Sequence, residues 1–213
     1  MRALLVCAAP ARGAVALVAT LAQTSDLVIA VDGGGALCRR AHVAPDLLVG
    51  DFDSLSASAL DALERGGARV VRFPAEKDDS DLALALGVAR DRGATEVIVT
   101  AAASARLDHT LAALAALAAA ADLSPVLIEP DVEVFVLNPA GRQDVAVRGA
   151  GSTVSLIPFG GPACASASGV RWPLRRAALD AASTKGLSNL VEDGEAVVTA
   201  HEGTLLVVLP HVS

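Results

Sequence analysis

The sequence is poor in aromatic residues and in positive charge. It has no tyrosine and one tryptophan, and aromatic residues make up 2% of the chain. The formal net charge is −7 and the pI is near 5.0. A nucleic-acid surface needs clustered arginine and lysine to contact phosphates, and we find no such cluster. We therefore expect no nucleic-acid partner.

Cysteine and several familiar motifs are also scarce or missing. The three cysteines lie far apart and form no C-x-x-C pair, which favours reduced, buried thiols in a cytoplasmic protein over a disulfide or zinc framework. There is no H-E-x-x-H and no long calcium loop. The G-x-x-x-x-G-K-[ST] pattern is absent as well, so the chain is not a P-loop enzyme.

No hydrophobic run is long enough to cross a membrane. The apolar start of the chain resembles a signal peptide, but Pro10, Arg12 and Gly13 interrupt it. A buried strand, a turn and a helix explain this stretch equally well. The alanine-rich segment 111–123 is too short for a bilayer and is expected to be a buried helix. The sequence therefore predicts a cytoplasmic location and no membrane partner.

The first part of the chain alternates short apolar runs with helical patterns. Continuous apolar strands separated by helices indicate a parallel sheet covered on both faces. Ligands of such sheets lie at the carboxyl ends of the strands. We expect strands at 3–7, 27–31, 47–49, 69–73, 96–100 and 126–129, and helices near 13–23, 34–41, 56–66, 80–92 and 108–121.

After about Pro130 the pattern changes to short β-rich runs such as "VEVFVLN", "TVSLIPF" and "TLLVVLP", separated by Gly, Pro, Asn and Asp. No long helix fits between them, which is typical of an antiparallel sandwich or barrel-like domain. The sequence thus predicts an N-terminal parallel-sheet α/β domain at 1–135 followed by a C-terminal β-sandwich domain at 136–213.

Four acidic clusters follow the predicted strands of the first domain. In a parallel sheet their positions place them along the same edge. Each cluster alone can be explained by capping of the following helix, but a single cap does not require two carboxylates. The clusters are "VDGGG" with Asp32, "GDFDS" with Asp51 and Asp53, "KDDSD" with Asp78, Asp79 and Asp81, and "ARLDH" with Arg106, Asp108 and His109.

The second carboxylate of "GDFDS" indicates a bound cation. Several carboxylates around a cleft suit Mg²⁺, which prefers hard oxygen ligands and completes its shell with waters or phosphate oxygens. A nucleoside triphosphate or a similar polyphosphate is therefore the expected substrate.

Taken in order, these motifs resemble the thiamine pyrophosphokinase family. That family has D-G-G, then P-D-x-x-x-G-D-F-D-S, then K-D-x-T-D, then G-G-R-x-D-H. The second domain adds V-S-L-x-P, G-L-K-[YW]-x-L and S-N. The matching stretches here are Asp32-Gly33-Gly34, "PDLLVGDFDS" at 45–54, "KDDSD" at 77–81, "ARLDH" at 105–109, "VSLIP" at 154–158, "GVRWPL" at 169–174 and "GLSN" at 186–189.

The resemblance implies transfer of the terminal pyrophosphoryl group of ATP to the hydroxyl of thiamine, giving thiamine diphosphate and AMP. It implies a homodimer, with each site lying between the first domain of one subunit and the second domain of the other. Mg²⁺ would be held by Asp51 and Asp53 with Asp78 or Asp81. Asp108 or Asp32 would accept the hydroxyl proton or position the alcohol, and the two remain alternatives.

The resemblance also implies contacts to the two substrates. Lys77, Arg106 and His109 would contact ATP, although pairing with Asp108 is an alternative role for Arg106. His109 is equally well explained as a structural residue at a helix start. The thiamine site would contain Trp172, Ser188 and Asn189, whose alternatives are a core tryptophan and an ordinary turn.

Three positions depart from the family pattern: Ser80 replaces threonine, Ser104-Ala105 replaces Gly-Gly, and Ala8-Ala9-Pro10 replaces a glycine-rich turn. Losing Gly-Gly removes backbone freedom where a phosphate approaches. Two further hypotheses follow: a pyrophosphokinase acting on a pterin-type alcohol, and a non-catalytic nucleotide or thiamine sensor. The intact acidic clusters argue against the sensor.

Overall fold

The computed structural model describes residues 1–76 and 78–211. They form two compact units: Met1–Ala116 with Leu127–Pro130, and Leu117–Val126 with the chain from Asp131 onward. Of the helices in these ranges, none combines the length and apolar character that a bilayer crossing requires.

The first unit contains the parallel sheet that the sequence predicts. Its strand order is β6-β5-β1-β2-β3-β4, and the pairs β5–β1, β1–β2, β2–β3 and β3–β4 are parallel. The strands are β1 (Arg2–Val6), β2 (Leu27–Val31), β3 (Leu47–Gly50), β4 (Arg69–Arg72), β5 (Glu96–Thr100) and β6 (Val126–Glu129). The helices are α1 (Ala14–Ala22), α2 (Gly34–Arg40), α3 (Ala57–Arg65), α4 (Asp81–Asp91) and α5 (Leu107–Ala119), of which the residues from Leu117 belong to the second unit.

The strands in the middle of this sheet, β1 to β3, are buried on both faces, which explains their continuous apolar sequences. Leu4 and Val6 of β1 pack with Val18 of α1 in one core cluster. Leu5 lies between them in sequence and points to the opposite face, where it is also fully buried. The α/β prediction for this part of the chain is confirmed.

Serines, and not the acidic clusters, make the side-chain caps of two helices. Ser56 accepts the N–H of Ala59 at the start of α3, at 3.3 Å. Ser80 does the same for Ala83 at the start of α4, at 3.2 Å. Asp53 is therefore not needed as the cap of α3, and the carboxylates there are available for another purpose.

The second unit is a β-sandwich, as predicted. Its sheets have the orders β12-β9-β14-β7 and β11-β10-β13-β8, with antiparallel pairing. Leu156 and Val207 of one sheet pack with Ala165 and Val198 of the other in one core cluster. The strands are β7 (Val132–Leu137), β8 (Asp144–Arg148), β9 (Thr153–Pro158), β10 (Ala163–Ser168), β11 (Leu174–Leu179), β12 (Asn189–Leu190), β13 (Glu195–Glu202) and β14 (Leu205–Pro210).

Two buried thiols should make the fold sensitive to alkali. Burial raises the pKa of the Cys38 thiol from 9.0 to about 12. Burial, followed by the charges of Glu129 and Asp81, raises the pKa of the Cys7 thiol to about 12. Unfolded cysteines ionise near pH 9, so the folded state must lose stability as the pH rises from there to about 12. Each thiol contributes a loss of about 1.4 kcal/mol per pH unit.

We predict that Cys38→Ala lowers the dependence of the unfolding free energy on pH above pH 9 by the contribution of one thiol, about 1.4 kcal/mol per pH unit. The chain suits the measurement because it has no tyrosine to titrate in the same range. Urea unfolding at pH 8, 9, 10 and 11 gives the unfolding free energy of each protein, and its slope against pH is compared. An identical slope in the wild-type and variant proteins would contradict the burial argument.

Candidate functional site

The two carboxylates of "GDFDS" are set by a tight turn directly after β3. Asp51 Oδ1 accepts the backbone N–H of Asp53 at 3.1 Å. Phe52 between them is 6% exposed and has a φ of 65°, a conformation that L-residues seldom adopt. Its buried ring anchors the turn, while Asp51 stays half-buried and Asp53 exposed.

Asp32 is brought to the same place from the neighbouring strand. It follows β2 with a φ of 46°, and its N–H donates to the carbonyl of Val49 at 2.8 Å. Ser54 donates its hydroxyl to Asp32 Oδ2 at 2.7 Å. Gly50 permits this approach, because a Cβ there would lie 3.2 Å from the Cα of Asp32.

Asp32, Asp51 and Asp53 form a three-carboxylate cluster in which one oxygen of each lies within 4.8 Å of the others. Asp32 Oδ1 is buried, and among residues 1–76 and 78–211 it has no hydrogen-bond partner. Like charges this close repel each other unless a cation or proton intervenes. The arrangement can therefore hold a hard divalent cation.

A cavity of about 590 Å³ opens beside this cluster within the first unit, a size that suits a small-molecule ligand. Asp32 and Asp51 lie on its wall, and so do Asp81 and His109. Asp78 is not among its lining residues. The metal roles expected for Asp78 and Asp81 stay predictions. The expected ATP contact of Lys77 lies outside the described residues.

Arg106 and Asp108 form an exposed, two-pronged ion pair at the start of α5. Arg106 Nη2 lies 2.6 Å from Asp108 Oδ2, and its Nε lies 3.3 Å from Oδ1. The hydrogen bond from Arg106 lowers the pKa of Asp108, and the same bond raises the pKa of Arg106. Asp108 is thus held as a carboxylate and is a weaker proton acceptor than an ordinary aspartate.

Trp172 in the second unit is not a core residue, since 57% of it is exposed. Its backbone is held by Asn189: the Trp172 N–H donates to Asn189 Oδ1 at 3.0 Å, and Asn189 Nδ2 donates to the Trp172 carbonyl at 2.8 Å. Asn189 is only 2% exposed. Ser188 beside it is exposed, with a φ of 54°. Asn189 therefore fixes the backbone from which the exposed indole projects.

Sequence reasoning missed two residues of the first unit. Arg72 donates from Nη1 to the carbonyl of Asp51 at 3.1 Å, and its guanidinium lies 5.1 Å from the centre of the Phe52 ring. It thereby braces the turn that carries the carboxylates. Glu129 is a buried acid at the end of β6. Its position after an apolar strand is the signal that identified the other acidic clusters, and it was overlooked.

Two family models match the chain. The model described as "Thiamin pyrophosphokinase, catalytic domain" matches residues 18–127. The model described as "Thiamin pyrophosphokinase, vitamin B1 binding domain" matches residues 142–205.

Curated relatives agree with these models. The chain is 25% identical over 170 residues to a rice protein, Thiamine pyrophosphokinase 1 from Oryza sativa, covering 76% of this chain and 64% of the relative. It is 26% identical over 179 residues to Thiamine pyrophosphokinase 1 from Arabidopsis thaliana, covering 80% and 67%. The matches thus span about two thirds of the length of these plant proteins.

Solved structures share the fold over the whole chain. Thiamine pyrophosphokinase from Bacillus subtilis superposes with a TM-score of 0.81 at 21% identity, covering 100% of both chains. The Candida albicans protein gives 0.79 at 14% identity, covering 98% of this chain and 88% of that one. Because the two family models together match most of the sequence, the chain belongs to the thiamin pyrophosphokinase family.

Proposed function

We propose that this protein transfers the terminal pyrophosphoryl group of ATP to the hydroxyl of thiamine, giving thiamine diphosphate and AMP. The observation that carries the proposal is the cluster of Asp32, Asp51 and Asp53 beside the cavity of the first unit. Membership of the family supports the choice of substrates. The reaction needs a site that neutralises the negative charge of the triphosphate. Three carboxylates are themselves negative, so they can provide such a site only through a bound cation.

Mg²⁺ fits this donor set. The cluster offers only carboxylate oxygens, which are the ligands that this ion prefers. One of them, Asp32 Oδ1, has no hydrogen-bond partner in the described part of the chain. We assign Asp32, Asp51 and Asp53 as the residues that hold the ion, with Asp81 of the cavity wall as a further candidate. When bound, Mg²⁺ would neutralise phosphate charge and align the phosphates.

Four residues of the first part of the chain would bind and orient the phosphate groups of ATP. Arg106 offers a planar fork of donors for phosphate oxygens, and Asp108 holds that fork in one orientation. Phosphoryl transfer depends more on positioning and charge than on removal of the hydroxyl proton. The lowered pKa of Asp108 therefore favours an orienting role for it. We assign His109, on the cavity wall, to an ATP contact, and keep Lys77 as a second such residue from its sequence motif.

The second unit would bind thiamine. The exposed indole of Trp172 offers a flat, electron-rich face to a cationic ring. Asn189 holds the backbone of Trp172, and its sequence neighbour Ser188 would supply a polar contact. Following the family resemblance, we propose that the protein acts as a homodimer in which two subunits complete each site. Three free cysteines support the proposed cytoplasmic location, where thiols stay reduced.

Release of AMP tests the proposed function. The purified protein is incubated with ATP and Mg²⁺ in three samples, containing thiamine, a hydroxymethyl pterin or no acceptor. We expect AMP only in the thiamine sample, in step with thiamine diphosphate. Faster AMP release with the pterin would assign a different acceptor, equal release without acceptor would indicate a hydrolase, and no release in any sample would contradict catalysis.

A further inference from the structure

The loop that follows β5 is held from within by a buried carboxylate. Glu129 is 2% exposed, and its Oε1 accepts the N–H groups of Ala102 at 2.8 Å and Ala103 at 3.0 Å. Consecutive N–H groups that converge in this way form a concavity suited to an anion. Here a side chain of the protein occupies that concavity.

The loop is held in a conformation that needs such support. Ala101 has a φ of 56°, which is unfavourable for a residue with a Cβ and persists only where the surroundings enforce it. Its carbonyl accepts the N–H of Ala9 at 2.8 Å. Ala101 and Ala102 both line the cavity. The shape of this cavity wall therefore depends on the contacts beneath it.

The far end of the loop is tied to the start of α5. Ser104 donates its N–H to Thr110 Oγ1 at 3.0 Å, and its hydroxyl oxygen accepts the N–H of Arg106 at 3.0 Å. These bonds join the loop to the backbone of Arg106. A displacement of Ala102 and Ala103 would consequently be passed on to the arginine.

We propose that Glu129 is a positioning residue for pyrophosphoryl transfer, holding the 101–106 loop through the N–H groups of Ala102 and Ala103 so that the cavity wall and Arg106 keep their places. This inference rests on the proposed function for its catalytic part. It also means that these two N–H groups are satisfied by Glu129 and do not bind substrate phosphate.

Three variants distinguish the effect of the Glu129 acceptor oxygen from the effect of its negative charge and from the effect of changing any buried polar residue. Glu129→Gln keeps an oxygen at the position of Oε1 but removes the charge. Glu129→Asp keeps the charge, yet its side chain is one methylene too short to reach both N–H groups. Thr100→Val is the matched control, because Thr100 is fully buried one residue before the loop and its hydroxyl has no partner among the described residues.

We expect Glu129→Gln and Thr100→Val to keep kcat within about threefold of wild type, and Glu129→Asp to lose about ten- to a hundredfold. The KM for thiamine should change by less than about twofold in all three, because no thiamine contact is altered. A Glu129→Asp variant with wild-type kcat would overturn the proposal. So would a Glu129→Gln variant that loses as much as Glu129→Asp.

Amide hydrogen exchange provides a readout that does not depend on catalysis. The N–H groups of Ala102 and Ala103 should exchange slowly in wild type, Glu129→Gln and Thr100→Val, and at least about tenfold faster in Glu129→Asp. Equal exchange in all four proteins would overturn the proposal.

An inactive wild type would refute the proposed function, while the exchange rates would still decide whether Glu129 holds the loop. If Glu129→Asp does not fold in a thermal melt, a tenfold loss of kcat or tenfold faster exchange in Glu129→Gln overturns the proposal.

Discussion

Asp51→Asn and Asp53→Asn are each expected to reduce kcat by about a thousandfold, because an amide is a poorer ligand for Mg²⁺ and the phosphates lose several kcal/mol of charge stabilisation. Each substitution removes one of three carboxylates whose oxygens lie within 4.8 Å of each other. Steady-state AMP release at saturating ATP and thiamine measures the loss. Raising Mg²⁺ should recover part of it.

The same substitutions should leave the metal-free fold as stable as before, or more stable. Three carboxylates at this separation repel each other when no cation is bound. The melting temperature in the presence of a chelator is therefore expected to hold or rise. Asp46→Ala is the matched control outside the cluster, since Asp46 Oδ2 accepts the N–H of Val28 at 2.8 Å. It should lower the melting temperature and leave kcat near wild type.

Near-normal activity of both variants at low Mg²⁺ would contradict the metal assignment. A fall in the metal-free melting temperature as large as that of Asp46→Ala would show that the carboxylates are structural.

Trp172→Ala is expected to weaken thiamine binding by about ten- to a hundredfold, because the indole contributes stacking worth about 0.5–1.5 kcal/mol and cation–π attraction worth about 0.5–2 kcal/mol. ATP binding should change little. The fold should not suffer, since 57% of Trp172 is exposed. Isothermal titration with thiamine gives the affinity, and Trp172→Phe should be intermediate.

Val197→Ala is the control for this experiment: Val197 lies in the same unit and is also an exposed apolar residue, at 38%. It should bind thiamine as wild type does. Mixing Trp172→Ala with Asp53→Asn protein should restore part of the activity if subunits share sites, because a hybrid dimer then contains one site free of both changes. Unchanged thiamine affinity in Trp172→Ala would refute the proposed platform.

The architecture could be predicted because a strand that is buried on both faces has a continuous apolar sequence. Leu4, Leu5 and Val6 are all fully buried, so β1 appears as an unbroken apolar run, and the strands at 27–31, 96–100 and 126–129 have the ends that were expected. The helix expected near 108–121 spans Leu107–Ala119, and its end was missed because the run of alanine and leucine has no polar residue to mark where the helix stops.

The acidic residues could be placed at one sheet edge, but their grouping could not. Asp32 joins Asp51 and Asp53 because its backbone pairs with Val49 and because Gly50 has no Cβ to keep it away. Asn189 was expected to contact substrate, and its buried bonds to the Trp172 backbone depend on a bridge between residues 17 positions apart. Such contacts between distant residues arise from tertiary packing, and no local sequence pattern predicts them.

Phosphorus-31 NMR of a mixture of ATP, Mg²⁺, thiamine and the wild-type protein tests the central claim most directly. It resolves AMP, ADP, orthophosphate and the two phosphates of thiamine diphosphate in one sample. We predict that AMP and thiamine diphosphate appear one for one as ATP disappears, and that the Asp53→Asn sample stays unchanged over the same time. ADP formed together with thiamine monophosphate, or AMP formed together with free pyrophosphate, would contradict transfer of an intact pyrophosphoryl group to thiamine.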